Sequence, residues 1–142
     1  MQTVYDMAAR IDVSIEQYVK FPRKEAFERL CDWESHSKWV PITKVSISGP
    51  DTFTAYTGIG PFKLRDMMRV VSRSDDSFEV HVEKIGPVLK GTASFKVRSF
   101  ANNSSVVVWK ESFSIPYLPK FLSPFLGFCT KYLFRRALKR LS

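Results

Sequence analysis

Hydrophobic and polar residues alternate along most of this chain, with the two-residue period of a half-buried β-strand. In "RIDVSIEQYVKF", Ile11, Val13 and Ile15 alternate with polar residues, which predicts a first strand. Six further alternating segments follow between residues 44 and 115, separated by turn sequences rich in Gly, Pro, Asp and Asn. Consecutive strands with short turns predict an antiparallel meander that buries one face and exposes the other.

Two short helices are predicted between the first and second strands. Pro22 precedes "RKEAFERLCDW", where Phe27 and Leu30 lie on one apolar face. A second helical turn spans Ser35 to Trp39 and ends before Pro41. The predicted fold class is therefore α+β, with these helices inserted before a long run of strands.

The chain ends in a long predicted helix, because residues 118–142 are apolar at three- and four-residue spacing. With this helix, the order predicts a single domain over residues 1–142, in which a curved antiparallel sheet of about seven strands wraps around the C-terminal helix. Arg136 and Lys139 replace apolar residues along the last two turns, which we expect to project beyond the sheet, to bend or to contact a partner. The face that the sheet grips is expected to consist of Phe121, Leu122, Phe125, Leu126, Phe128, Cys129, Tyr132 and Leu133.

Composition indicates a possible apolar cavity and argues against a metal or cofactor site. Aromatic residues make up 14% of the chain, twelve of them Phe, which fits either dense packing or the wall of an apolar cavity. Cys31 and Cys129 lack metal-ligand spacing and are expected to be free thiols, so neither a metal nor a cofactor is predicted. No segment resembles a signal peptide or a membrane span, so we expect a cytoplasmic protein.

The net charge of +8 is concentrated in the C-terminal third. Residues 100–142 contain seven basic residues and one acidic residue, which points to an anionic surface as partner, either lipid or nucleic acid. A basic amphipathic helix end fits an anionic membrane, and the alternative is a solvated end with cations at the helix C-terminus. The residues concerned are Lys131, Arg135, Arg136, Lys139 and Arg140.

Alternation also places two acidic residues on the inward face of the sheet. Asp66 shares a face with Leu64 and Met68, and Glu111 shares a face with Trp109 and Phe113. A buried carboxylate needs a partner or a raised pKa. Each acid therefore either bonds a protein group or water at the rim, or meets a ligand or takes part in acid–base chemistry. For an enzyme, Glu111 is the favoured candidate because its strand neighbours are apolar.

The stretch "FPRKEAFERLCDWESHSKWVP" resembles the helix-grip, or SRPBCC/START-like, superfamily, which includes polyketide cyclases/dehydrases and lipid-transport proteins. The similarity extends over the whole chain, and "SSVVVWKESFSIP" resembles the superfamily's last strand. The resemblance implies a cavity between sheet and C-terminal helix, with Trp39 pointing inward and Trp33 packed on the outside of the helix pair. The residues that carry the first motif are Pro22, Phe27, Leu30, Asp32, Trp39 and Pro41.

The expected function is binding or transport of a hydrophobic small molecule, such as a lipid, polyketide or isoprenoid. One alternative is a polyketide cyclase/dehydrase-like enzyme that uses an inward carboxylate. Another is an interaction protein, because the same motif also resembles coenzyme-Q-binding proteins and relatives of a bacterial ribosome-associated toxin. The predicted ligand pocket consists of Trp39, Phe53, Leu64, Asp66, Met68, Phe95, Val97, Trp109, Glu111, Phe113, Phe125, Phe128 and Tyr132.

Overall fold

A seven-stranded antiparallel sheet curls around the end of one long helix in the computed structural model. The structure describes residues 8–141, apart from the side chains of Ala8, Phe62, Pro116 and Tyr117. The helices are α1 (Arg23–Cys31), α2 (His36–Trp39) and α3 (Ser123–Leu141), with 3-10 turns at Trp33–Ser35 and Lys120–Leu122. The strands are β1 (Ala8–Val19), β2 (Thr43–Ile47), β3 (Thr52–Ile59), β4 (Phe62–Ser74), β5 (Glu79–Ile85), β6 (Lys90–Phe100) and β7 (Ser104–Pro119).

The strands follow the order β1-β7-β6-β5-β4-β3-β2, so each strand from β2 to β6 lies beside the strand that follows it in sequence. The predicted meander and the two short helices between β1 and β2 are confirmed. The first strand instead crosses to the far edge and pairs with β7, where Ile11 faces Phe113 and Ile15 faces Trp109. This pairing brings the start and the end of the strand region together beneath α3.

The densest part of the core lies at the β1, β7 and β6 side of the sheet. There Phe27 and Leu30 of α1 are fully buried, together with the inner faces of β1 and β7. α3 packs against β1, and its Phe134 stacks on Trp109 with ring centroids 3.8 Å apart. The buried residues of α3 are Phe134, Ala137, Leu138 and Leu141.

The prediction for the gripped face of α3 is wrong. The helix buries its last two turns, whereas Phe125 and Phe128 in its first half and Phe121 in the preceding 3-10 turn are 64%, 70% and 79% exposed. The inward line instead runs through half-buried Leu126 and Leu133 and continues into the four buried residues of the last two turns. The broad apolar stripe contains two adjacent lines of residues, and periodicity alone does not determine which of them faces the sheet.

The final turns of α3 therefore do not project away from the sheet. Their cations Arg135, Arg136, Lys139 and Arg140 are exposed on the side opposite the buried residues, and Arg140 donates a hydrogen bond to the Lys38 carbonyl at 3.1 Å. Within residues 8–141, no helix combines the length and the apolar character that crossing a membrane requires.

Candidate functional site

A cavity of about 590 Å³ lies between the inner face of the sheet and the middle of α3. Its walls come from β2 to β7, from the segment Trp33–Thr43 and from one side of α3. This volume lies within the range of small-molecule sites, which are usually apolar with a few placed polar groups. The last two turns of α3 bury Ala137, Leu138 and Leu141 in the core, and none of these three residues lines the cavity.

Most of the predicted pocket residues line this cavity. They are Phe53, Leu64, Asp66, Met68, Phe95, Trp109, Glu111, Phe113, Phe128 and Tyr132. Three predicted residues lie elsewhere. Val97 is fully buried at the end of β6 that α1 covers, Trp39 is part of the core, and Phe125 projects outward from α3 and is exposed.

The two tryptophans have exchanged the positions that the family resemblance implied. Trp33, expected on the outside, lines the cavity and stacks on Phe53 with centroids 4.6 Å apart. Trp39, expected as cavity wall, is 6% exposed and contacts Trp109 edge to face, with centroids 6.4 Å apart. The 3-10 turn at Trp33–Ser35 rotates the chain between them, so spacing along a regular helix does not predict their directions.

Asp66 and Glu111 meet at a lysine that the sequence analysis missed. Lys84 Nζ lies 2.8 Å from Glu111 Oε1 and donates a hydrogen bond to Asp66 Oδ2. Glu111 Oε2 accepts a second hydrogen bond, at 2.9 Å, from the Trp109 indole N–H. The strand register brings the three side chains together. Lys84 on β5 pairs with Met68, two residues along β4 from Asp66, and Glu111 on β7 pairs with Ala93 on β6.

The cluster is almost entirely buried. The side chains of Lys84, Glu111 and Asp66 are 3%, 7% and 13% exposed. Burial alone would lower the pKa of Lys84, but the carboxylates of Glu111 and Asp66 outweigh it and hold the pKa above its usual value. Burial raises the pKa of both Asp66 and Glu111, and Lys84 partly offsets the rise.

The sequence contained a signal for Lys84. In "EVHVEKI", Val80, Val82 and Lys84 share one face, and the structure buries all three. A lysine in step with two buried valines is a candidate partner for inward carboxylates on neighbouring strands.

His36, which the sequence places on the short helix at the cavity mouth, also lines the cavity. Its Nε2–H donates to the Leu30 carbonyl at 2.7 Å, and its ring lies between the rings of Trp33 and Trp39. Burial lowers the pKa of His36 to about 4, so the ring is neutral near pH 7. The hydrogen bond fixes the protonated nitrogen and leaves Nδ1 without a proton.

The cavity opens between α3 and the loop that follows α2. Phe128, Tyr132 and Ile42 line it, yet they are 70%, 63% and 53% exposed. Phe128 and Tyr132 belong to an exposed group, which we call the aromatic row: Phe125, Phe128 and Tyr132 on α3, and Phe121 in the 3-10 turn before it. At 100° per residue the three side chains on α3 project within an arc of about 60°.

The predicted basic residues continue the aromatic row along the helix. Arg135, Arg136 and Lys139 project within about 60° of its centre line, and all three are exposed. The outward side of α3 is thus aromatic beside the cavity mouth and cationic over the final turns. Among residues 8–141, no group of three His, Cys, Asp or Glu side chains is arranged to hold a metal ion.

Comparison with known proteins identifies the fold. No family model matches the chain, and no curated protein matches it significantly. Solved structures do match over most of their length at low sequence identity. A START superfamily protein from Mycobacterium smegmatis is 12% identical with a TM-score of 0.73, covering 92% of this chain and 99% of its own.

Two further structures have the same architecture. A protein from Thermus thermophilus is 12% identical with a TM-score of 0.78, covering 92% of this chain and 93% of its own. An aromatase/cyclase from Streptomyces sp. R1128 is 12% identical with a TM-score of 0.69, covering 92% and 88%. The chain therefore has the START-like helix-grip fold that its sequence predicted, and at this identity the likeness concerns the fold alone.

Proposed function

We propose that this protein binds an apolar small molecule in the cavity between its sheet and α3. The observation that carries the proposal is the cavity itself, about 590 Å³ in volume, walled by aromatic and aliphatic side chains around a single buried ionic cluster. Apolar walls around a space of this size lack the dispersion contacts that packed cores make, so a ligand that fills the space supplies them.

Native mass spectrometry of the protein purified from its host tests this proposal, followed by titration with a panel of lipids, polyketides and isoprenoids. We expect an additional mass that organic extraction removes. Ala93→Leu adds volume inside the cavity and should weaken binding, whereas Thr92→Leu, exposed on the opposite face of β6, should not. The proposal is wrong if no member of the panel binds, or if both variants bind as the wild type does.

We further propose that the ligand is exchanged with an anionic membrane through the aromatic row and the cations that follow it. Aromatic residues favour the membrane interface, and each cation near an anionic surface contributes about 1 kcal/mol. The cavity mouth lies beside Phe128 and Tyr132, so docking by this surface would bring the opening to the lipid.

Vesicle flotation tests the membrane proposal. The protein should bind phosphatidylglycerol vesicles and not phosphatidylcholine vesicles, and added salt should weaken binding. Phe125→Ser, whose side chain lies outside the cavity, should lessen vesicle binding while ligand affinity is retained. Vesicle binding that ignores lipid charge would contradict the proposal, as would RNA binding with a steep salt dependence in place of lipid binding.

A second candidate function is acid–base catalysis on a polyketide-like substrate, favoured by the carboxylates in the cavity wall. Both oxygens of Glu111 already accept hydrogen bonds, so the geometry favours Asp66 over Glu111 as the catalytic group. In an assay with a soluble poly-β-ketone mimic, Asp66→Asn should lower turnover about a hundredfold while binding persists. Unchanged turnover in this variant would eliminate Asp66 as the acid or base.

A further inference from the structure

The two carboxyl groups of the ionic cluster differ in the number of hydrogen bonds that their oxygens accept. Glu111 Oε1 lies 2.8 Å from Lys84 Nζ, and Glu111 Oε2 accepts from Trp109 at 2.9 Å. Asp66 Oδ2 accepts from Lys84, but Asp66 Oδ1 is buried and meets no hydrogen-bond partner among residues 8–141. A buried acceptor without a partner costs about 1–3 kcal/mol, and more when it is charged.

The charges of the cluster are also unequal. Two carboxylates share one ammonium group, so the cluster would carry a net negative charge in an apolar wall if both acids were ionised. The three remaining titratable side chains that line the cavity add no cation at neutral pH: His36 from α2 is neutral, and Cys129 and Tyr132 from α3 carry no positive charge. A single bound proton makes the cluster neutral, and like-charged carboxylates in close proximity favour that arrangement.

The hydrogen bonds decide where that proton resides. Both oxygens of Glu111 face N–H donors, so a proton on Glu111 would oppose a donor with a donor. Asp66 Oδ1 faces none, and it belongs to a residue that lines the cavity. A carboxylic acid there has an O–H that meets no acceptor among residues 8–141, and because the Asp66 side chain lines the cavity and is 13% exposed, a small turn of that side chain brings the O–H to a ligand oxygen.

We propose that Asp66 carries a proton on Oδ1 and donates it in a hydrogen bond to a carbonyl oxygen of the apolar ligand. The inference rests on the proposed binding function and narrows its ligand class to apolar molecules that carry a ketone, quinone or ester oxygen at the end that reaches the ionic cluster. An apolar hydrocarbon fills the cavity equally well but leaves this O–H unpaired.

Three probes of one shape test the proposal by calorimetric titration: methyl β-naphthyl ketone, the isopropenyl analogue in which CH₂ replaces the carbonyl oxygen, and the corresponding secondary alcohol. The wild type should bind the ketone roughly tenfold more tightly than the isopropenyl analogue, the difference that one ligand hydrogen bond makes. Asp66→Asn should keep this preference, because its carbonyl oxygen accepts from Lys84 and its amide N–H₂ takes the place of the acid O–H.

Asp66→Leu should abolish the preference while still binding all three probes, because Lys84 keeps Glu111 as its partner. Infrared spectroscopy provides a second measurement that needs no ligand. The wild type at neutral pH should show a carboxylic-acid carbonyl band that is absent from Asp66→Asn.

The outcomes separate this inference from the proposed function. If no probe binds the wild type, the binding function has failed, and the infrared band still decides the protonation of Asp66. If the ketone and its isopropenyl analogue bind equally, the cavity binds ligands and the inference is wrong. If the wild type prefers the alcohol to the ketone and Asp66→Asn reverses that preference, Asp66 is ionised. A missing infrared band would show the same. Either result overturns the proposal.

Discussion

Lys84 is the residue on which the polar chemistry of the cavity depends. Its ammonium group contacts both Asp66 and Glu111 and lies 5.2 Å from the centre of the Phe113 ring. Its positive charge is the one that lowers the pKa of each carboxyl group against the effect of burial. Removing this charge would leave both acidic side chains in an apolar wall, with the Trp109 indole N–H as the remaining donor to Glu111.

We therefore expect Lys84→Met to lower the free energy of unfolding by about 3–5 kcal/mol at pH 7 in urea denaturation, the usual cost of breaking a buried ion pair. Lys44→Met, at an exposed position on β2, should change it by less than about 0.5 kcal/mol. Adding Asp66→Leu to Lys84→Met should restore part of the loss. Equal stabilities of the two single variants would show that the cluster is not the buried ionic site described.

His36 predicts a pH dependence of stability. Burial lowers its pKa to about 4, from the usual value of 6.5, even though the Leu30 carbonyl and the charge of Asp32 oppose that shift. Between these two values the unfolded chain binds a proton that the folded protein does not. Stability should therefore fall as the pH drops from about 6.5 to about 4, by about 3 kcal/mol in total.

Denaturation in urea at a series of pH values measures this effect. His36→Gln should flatten the decline between pH 6.5 and 4, because Gln does not titrate and its amide N–H can still donate to the Leu30 carbonyl. His81→Gln, whose ring is half exposed on the outer face, serves as the matched control and should keep the decline. An unchanged slope in His36→Gln would contradict the buried neutral imidazole.

At the scale of elements, the sequence predicted strands better than it predicted helix faces. Alternation along β4 and β7 gave the correct inward residues, because a two-residue period allows only two faces and the outward face of each strand carries the basic residues. On α3 several adjacent lines are apolar, and the line that is buried depends on the curl of the sheet. The aromatic row stays exposed because the buried residues of α3 project from the opposite side of the helix.

This arrangement predicts that two truncations on α3 lower the free energy of unfolding by very different amounts. Leu138→Ala removes a fully buried side chain and should lower the free energy of unfolding by about 2–5 kcal/mol. Phe125→Ala removes a larger side chain that is 64% exposed and should change it by less than about 0.5 kcal/mol. Urea denaturation of both variants measures these losses. A larger loss in Phe125→Ala than in Leu138→Ala would show that the sheet buries the helix face predicted from periodicity alone.

At the scale of the whole molecule, the sequence predicted the architecture and most of the cavity wall. It could not predict the size of the cavity, which depends on how far α3 fills the curled sheet. It also could not predict which of Trp33 and Trp39 faces inward, because the irregular turn before α2 sets both directions. The +8 charge was visible in the sequence, but the junction between the aromatic row and the exposed cations required the helix to be placed on the sheet.

The central claim is that apolar ligands enter the cavity and do not merely adhere to the exposed aromatic row. Two-dimensional NMR during titration with methyl β-naphthyl ketone tests it most directly, with side-chain signals assigned for both regions. We predict saturable shifts at Trp33, Phe95 and Trp109, with little change at Phe121 and Phe125, and loss of these shifts in Ala93→Leu. Shifts confined to Phe121 and Phe125, or none at all, would contradict the account.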